Sequence, residues 1–111
     1  MRHIGKGVIV SKTPKLKEWR ARVAEVIRQE AGEPNHLSPA RVTVQFYMPK
    51  PKSVRRLLPT VPPDLDKLQR AIGDAISIDV KYLADDSQIV EWHAQKLYGE
   101  RPCAIISIQL L

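Results

Sequence analysis

Pro63-Asp64-Leu65-Asp66-Lys67-Leu68-Gln69-Arg70-Ala71-Ile72-Gly73-Asp74-Ala75-Ile76 is the stretch on which the reading of this chain turns. Leu65, Leu68, Ile72, Ala75 and Ile76 recur at helical spacing, Pro63 marks a break before them, and Asp64 is well placed to cap the helix they predict. All six aspartates of the chain lie between Asp64 and Asp86, although the protein carries a formal net charge of +6. Carboxylates crowded together repel and resist desolvation, so Asp64, Asp66, Asp85 and Asp86 call for a positive charge among them, and a hard divalent cation is the natural candidate.

Outward from this segment the chain reads as alternating elements. Gly7-Val8-Ile9-Val10 is a short strand candidate. Thr13 and Pro14 offer the cap and first position of a helix whose apolar face is Leu16, Trp19, Val23, Val26 and Ile27, ending near Gly32. Lys15, Lys17, Arg20, Arg22 and Arg28 fall on its other face, which reads as solvated. From Arg41 the period becomes two, with Val42, Val44, Phe46 and Met48 on one side and Arg41, Thr43, Gln45 and Tyr47 on the other. Gln88 to Leu97 alternates again, setting Val90, Trp92 and Ala94 opposite Glu91, His93 and Gln95, and Ala104 to Leu111 supplies a closing strand. The pattern predicts an α/β (α+β) fold: one domain over residues 1–111, a mixed sheet and two principal helices.

Charge divides the chain. Residues 1–60 hold 13 Lys and Arg against 4 Glu, whereas residues 61–111 hold 5 against 8 acidic residues. Attraction of a polyanion belongs to the first half and chemistry to the second. Between them, residues 49–63 are too rich in proline for helix and too charged for core. They read as a mobile basic arm whose Lys50, Lys52, Arg55 and Arg56 contact phosphates. The lone Cys103 reads as a half-buried strand thiol, no apolar run approaches the length of a membrane span, and a reducing cytoplasm suits the chain.

Residues two apart in a regular helix project about 200° from each other, so Asp64 and Asp66 share a side only if Asp64 is extended. Arg70 then follows one turn after Asp66 on the same side. An Asp-x-Asp pair alone also occurs in phosphatases, glycosyltransferases and calcium loops. Leu68 and Gln69, at the fifth and sixth positions, exclude the calcium loop. Asp64 as a helix cap and Asp85-Asp86 as a turn are the plain structural alternatives.

Pro63 to Ala71, then Asp74-Ala75-Ile76, then Leu83-Ala84-Asp85-Asp86-Ser87-Gln88-Ile89-Val90 together resemble the signature of RusA-type Holliday junction resolvases, over roughly residues 10–111. The resemblance implies a homodimeric endonuclease of phage or prophage origin in the bacterial or infected-host cytoplasm. It would use Mg²⁺, with Mn²⁺ as a substitute, to nick four-way junctions in symmetric pairs. By position it implies Asp64, Asp66 and Asp86 as essential metal carboxylates, with Asp85 as their neighbour. Arg70 occupies a basic position where the relative compared most directly has lysine, and Lys67 one often held by asparagine, so either is a candidate to stabilise developing charge. The family also implies a strand and a proline-containing turn ahead of Arg2, so an N-terminal strand is expected to be missing. His93 reads as an exposed strand residue, Lys96 as lying on the Trp92 side, and Trp19 and Trp92 as packing residues. A nuclease for flaps or other branched DNA, or an inactive DNA-binding module, are the rival functions.

Overall fold

The computed structural model describes the backbone of residues 3–9 and 16–111, and side chains from Glu18 onward. Thr13 and Pro14, expected to open the first helix, and Val10 lie outside the described residues. Strand β1 (His3–Ile9) begins earlier than its apolar run suggested, because it pairs antiparallel with the last strand from His3 opposite Gln109 to Ile9 opposite Cys103. Helix α1 (Leu16–Glu30) is followed by β2 (Ala40–Pro49), α2 (Leu65–Asp74), β3 (Ile89–Gly99) and β4 (Cys103–Leu110). The sheet order is β1-β4-β2-β3, with β2 antiparallel to β4 and parallel to β3. This is the expected α+β fold with a mixed sheet and two helices.

Burial alternates along β2, where Ala40, Val42, Val44 and Phe46 are buried, and along β4, where Ala104, Ile106, Ile108 and Leu110 are. They form one core with Trp19, Val23, Ala24 and Ile27 of α1 and Leu68, Ala71 and Ile72 of α2. Trp19 lies against Phe46, ring centres 5.6 Å apart, so it is a packing residue as expected. Its removal would cost about 3–5 kcal/mol. The opposite sheet face is polar: Arg41 pairs with Glu91 and donates to Gln109 Oε1 at 2.8 Å, and exposed His93 pairs with Glu91 at 3.0 Å. Hydrogen bonds from Arg41, then from His93, hold the Glu91 carboxyl below its usual range.

One expected apolar position departs from the pattern. Val90 is 62% exposed, because the β2–β3 register skips it: Ala40 faces Ile89 and Arg41 faces Glu91. A bulge adds one residue and turns that side chain out of the alternation. From Trp92 onward the expected faces hold.

The helix predicted from Leu65 does not stop at Asp74. It widens into a π-turn, Ala75–Asp79, in which the Val80 amide reaches the Ala75 carbonyl at 3.0 Å and the buried Ser77 hydroxyl donates to the Gly73 carbonyl at 2.8 Å. Lys81, at φ 57°, takes the left-handed conformation that ends it. The widened turn carries Asp79 towards α1. There Arg20 forks onto it, Nε to Oδ2 at 2.7 Å and Nη2 to Oδ1 at 2.8 Å, and also approaches Asp74 at 3.5 Å. Arg28 donates to the Asp79 carbonyl at 3.0 Å. The reading of Arg20 as part of a solvated face is therefore corrected, since its partner stands 59 residues away, beyond what helical periodicity reports. The hydrogen bond from Arg20 holds the Asp79 carboxyl below its usual range, and the same bond raises Arg20.

Candidate active site

The chain leaves β2 at Pro49 and returns in the parallel strand β3 at Ile89, so everything between is one crossover. Asp64 ends its incoming limb with extended backbone, φ −68° and ψ 142°, and α2 starts at the next residue. This is the geometry that lets Asp64 and Asp66 share a side. Asp64 occupies the cap position without capping: its side chain accepts no backbone amide, and instead lies 3.8 Å from the Lys67 ammonium. Asp66, Arg70 and Gly73 then follow at intervals of four and three, one stripe along α2.

That stripe faces the short 3₁₀ turn Asp86–Gln88 and the start of β3. Asp66, Gln69, Arg70, Gly73, Asp86 and Trp92 line one cavity of about 230 Å³. At Gly73 a methyl group would make ordinary contacts with Trp92 at 3.7 Å and Asp86 Cβ at 3.8 Å, so α2 lies directly against the turn and β3 here. Trp92 is thus both a packing residue against the core and a wall of the cleft.

The cavity takes in two of the four expected carboxylates. Asp66 and Asp86 line the cavity; Asp64 and Asp85 do not. Asp85 caps the 3₁₀ turn by accepting the Ser87 amide at 2.9 Å, and hydrogen bonds from Ser87 hold its carboxyl below its usual range. Among the described residues no three acidic, histidine or cysteine side chains converge on one point. Two carboxylates still suit Mg²⁺, which keeps several waters and is bound through one or two carboxylates together with substrate phosphates. A larger cavity, about 700 Å³, opens beside Arg70 between α1 and α2, but its aspartates, Asp74 and Asp79, are engaged with Arg20. Asp66 and Asp86 line the smaller one.

Two positioning residues carried no decisive signal in the sequence. Gln88 donates to the carbonyls of Asn35 at 3.2 Å and Ser38 at 3.0 Å and accepts the Ala84 amide at 2.7 Å, bracing the turn that presents Asp86. Lys96, on the Trp92 side of β3, donates to the carbonyls of Val61 at 2.7 Å and Pro63 at 3.1 Å. It clasps the chain just ahead of Asp64. Farther along β3, Tyr98 accepts from Arg56 Nε at 2.8 Å and has Lys50 5.8 Å from its ring centre. Lys50 and Arg56 thus meet on one aromatic side chain, while Lys52 and Arg55 are exposed.

Comparison with known proteins identifies the family. The family model for endodeoxyribonuclease RusA matches residues 1–109. The uncharacterized protein YqaN of Bacillus subtilis (strain 168) is 31% identical over 107 residues, covering 86% of this chain and 74% of that protein. No helix among the described residues is long and apolar enough to cross a membrane. With a match over nearly its whole length, and a cleft that joins the Asp-x-Asp helix to the Asp-Asp turn, the chain belongs to the RusA family of endodeoxyribonucleases, enzymes that hydrolyse DNA.

Proposed function

We propose that this chain resolves four-way DNA junctions by Mg²⁺-assisted hydrolysis, Mn²⁺ substituting, with Asp66 and Asp86 as the principal metal carboxylates and Asp64 as a third. The observation that carries the reading is the shared cavity of Asp66, Arg70 and Asp86. A divalent ion bound there supplies charge neutralisation at the phosphate and lowers the pKa of water. Arg70, four residues after Asp66, offers a guanidinium to the phosphate oxygens as negative charge builds on them. Lys67 lies 3.8 Å from Asp64, and Asp85 fixes the backbone from which Asp86 projects. Lys50, Lys52, Arg55 and Arg56 hold flanking phosphates without reading bases.

Resolution needs two symmetric cuts and one chain offers one such cleft, so the active species is a homodimer with two sites. Incubating the protein with a four-way junction in Mg²⁺ or EDTA, beside linear duplex and flap substrates, tests the reading. Paired nicks on the junction alone, abolished by EDTA, support it. Equal or preferred cutting of flaps points to the branched-DNA rival.

A further inference from the structure

The basic loop carries an apolar feature that phosphate binding does not use. Leu57 is 86% exposed and Leu58 55%, with Val61 at 38%, whereas Leu68 and Leu83 are buried at 4% and 0%. The next residue, Pro59, is buried. The two leucines therefore stand out from a loop that is anchored on either side, by Arg56 on Tyr98 before them and by Pro59 and the Lys96 clasp after them. Residues 49–63 contain Lys50, Lys52, Arg55 and Arg56 and no acidic residue. An apolar tip ringed by cations suits a polyanion with an apolar interior. It does not suit a second copy of the chain, because a two-fold contact at the leucines would set Arg55 and Arg56 against their own counterparts.

We infer that Leu57 and Leu58 form an apolar wedge that enters the base stack of DNA at the branch point, while the neighbouring cations hold the phosphates on either side. Inserted leucines unstack base steps, and this costs least where stacking is already broken. A wedge of this kind therefore favours branched over linear DNA without reading sequence. Eight or nine residues separate the leucines from Asp66 of the cleft, at most about 32 Å of extended chain. That places the wedge within roughly ten base steps of the cleft. The inference rests on the junction-cutting reading above and adds to it the means by which the branch is recognised.

The test uses a synthetic four-way junction with 2-aminopurine at the branch point, and the matching linear duplex, in Ca²⁺ without Mg²⁺. Wild-type protein should raise the junction's fluorescence, but not the duplex's, on binding. Leu57→Ser/Leu58→Ser should abolish the rise and weaken junction affinity by about tenfold or more. Duplex affinity and its salt dependence should stay as in wild type, and Leu57→Met/Leu58→Met should restore both properties. Because the leucines are exposed, the thermal midpoint should not move. An unchanged fluorescence rise and junction-to-duplex ratio in the serine variant overturns the wedge. So does an equal loss on both DNAs, or a smaller sedimenting particle with the fluorescence rise intact, which would place the leucines at a subunit contact. Absence of any junction preference in wild-type protein would instead defeat the functional reading itself.

Discussion

Replacing Asp79 by Asn should destabilise the protein at neutral pH by an amount that disappears in acid. The Arg20–Asp79 fork has two short hydrogen bonds between side chains 31% and 26% exposed. Hydrogen bonds to charged groups contribute about 1.5–3 kcal/mol each in protected sites, and partial exposure screens the ionic part. Asn keeps an oxygen to accept one bond but loses the charge, so the expected loss is about 1–2 kcal/mol. Unfolding entropy of about 2.1 cal/mol/K per residue over 111 residues turns this into a melting point lower by roughly 4–9 °C at pH 7. The Asp79 pKa is depressed by Arg20, so the stabilisation is complete above the ordinary carboxylate value and falls as pH drops through the lowered one. Melts of wild type and variant at pH 7 and near pH 2 check this, because other titrating groups cancel in the difference. Equal melting points at pH 7, or a gap as wide at pH 2 as at pH 7, would refute the account of the fork.

Asp66→Asn and Asp86→Asn should each abolish junction cleavage while leaving binding equal or tighter, since a ligand charge and a repulsion towards DNA are removed together. Cleavage gels beside gel-shift titrations decide it, and near-normal nicking at limiting Mg²⁺ would move the site elsewhere. Changing Lys50, Lys52, Arg55 and Arg56 to Ala should weaken binding to every DNA shape and reduce the salt slope by about 0.9 per lost phosphate contact, as read by titration at several salt concentrations. Lys96→Met removes both bonds that clasp the chain before Asp64. Loss of about 1–2 kcal/mol of local order should slow cleavage roughly 5- to 30-fold, with Lys96→Arg largely retaining activity; a wild-type rate in the Met variant contradicts the positioning role. Sedimentation at micromolar protein should give a dimer, and a cruciform plasmid should be cut in near-simultaneous pairs. A fully active monomer releasing only singly nicked circles argues against paired resolution.

What the sequence disclosed and what it hid follow from the range of each interaction. The helices and β2 declare themselves because their apolar residues repeat at the period of the element, and Asp66 and Arg70 are tied by one turn of the same helix. The extended backbone at Asp64 was legible only as a condition, which its place as the cap residue before α2 meets. Val90 was misplaced because a bulge is a relation between two strands, absent from the alternation of one. The Arg20–Asp79 fork joins residues 59 apart in the chain, and neither it nor the π-turn leaves a local pattern. Lys96 could be placed on the Trp92 side but not given a partner, since its acceptors are two backbone carbonyls, which every residue possesses. The separation of Asp66 and Asp86 from Asp64 and Asp85 required knowing that Ser87 and Lys67 engage the latter pair.

The crossover between β2 and β3 has an evolutionary consequence. The strands on which it is mounted hold their register from Arg41 opposite Glu91 to Pro49 opposite Gly99, and among these residues Trp92 alone lines the cleft. Length and composition between Pro49 and Asp64 can therefore drift without re-pairing the sheet, provided Lys96 still finds carbonyls to hold. Selection can trade one such loop for another as a cassette, changing which DNA shapes are admitted while the hydrolytic residues stay fixed on α2 and the turn before β3. Grafting residues 50–63 from a relative with a different substrate range is thus a route to new specificity that leaves the scaffold alone.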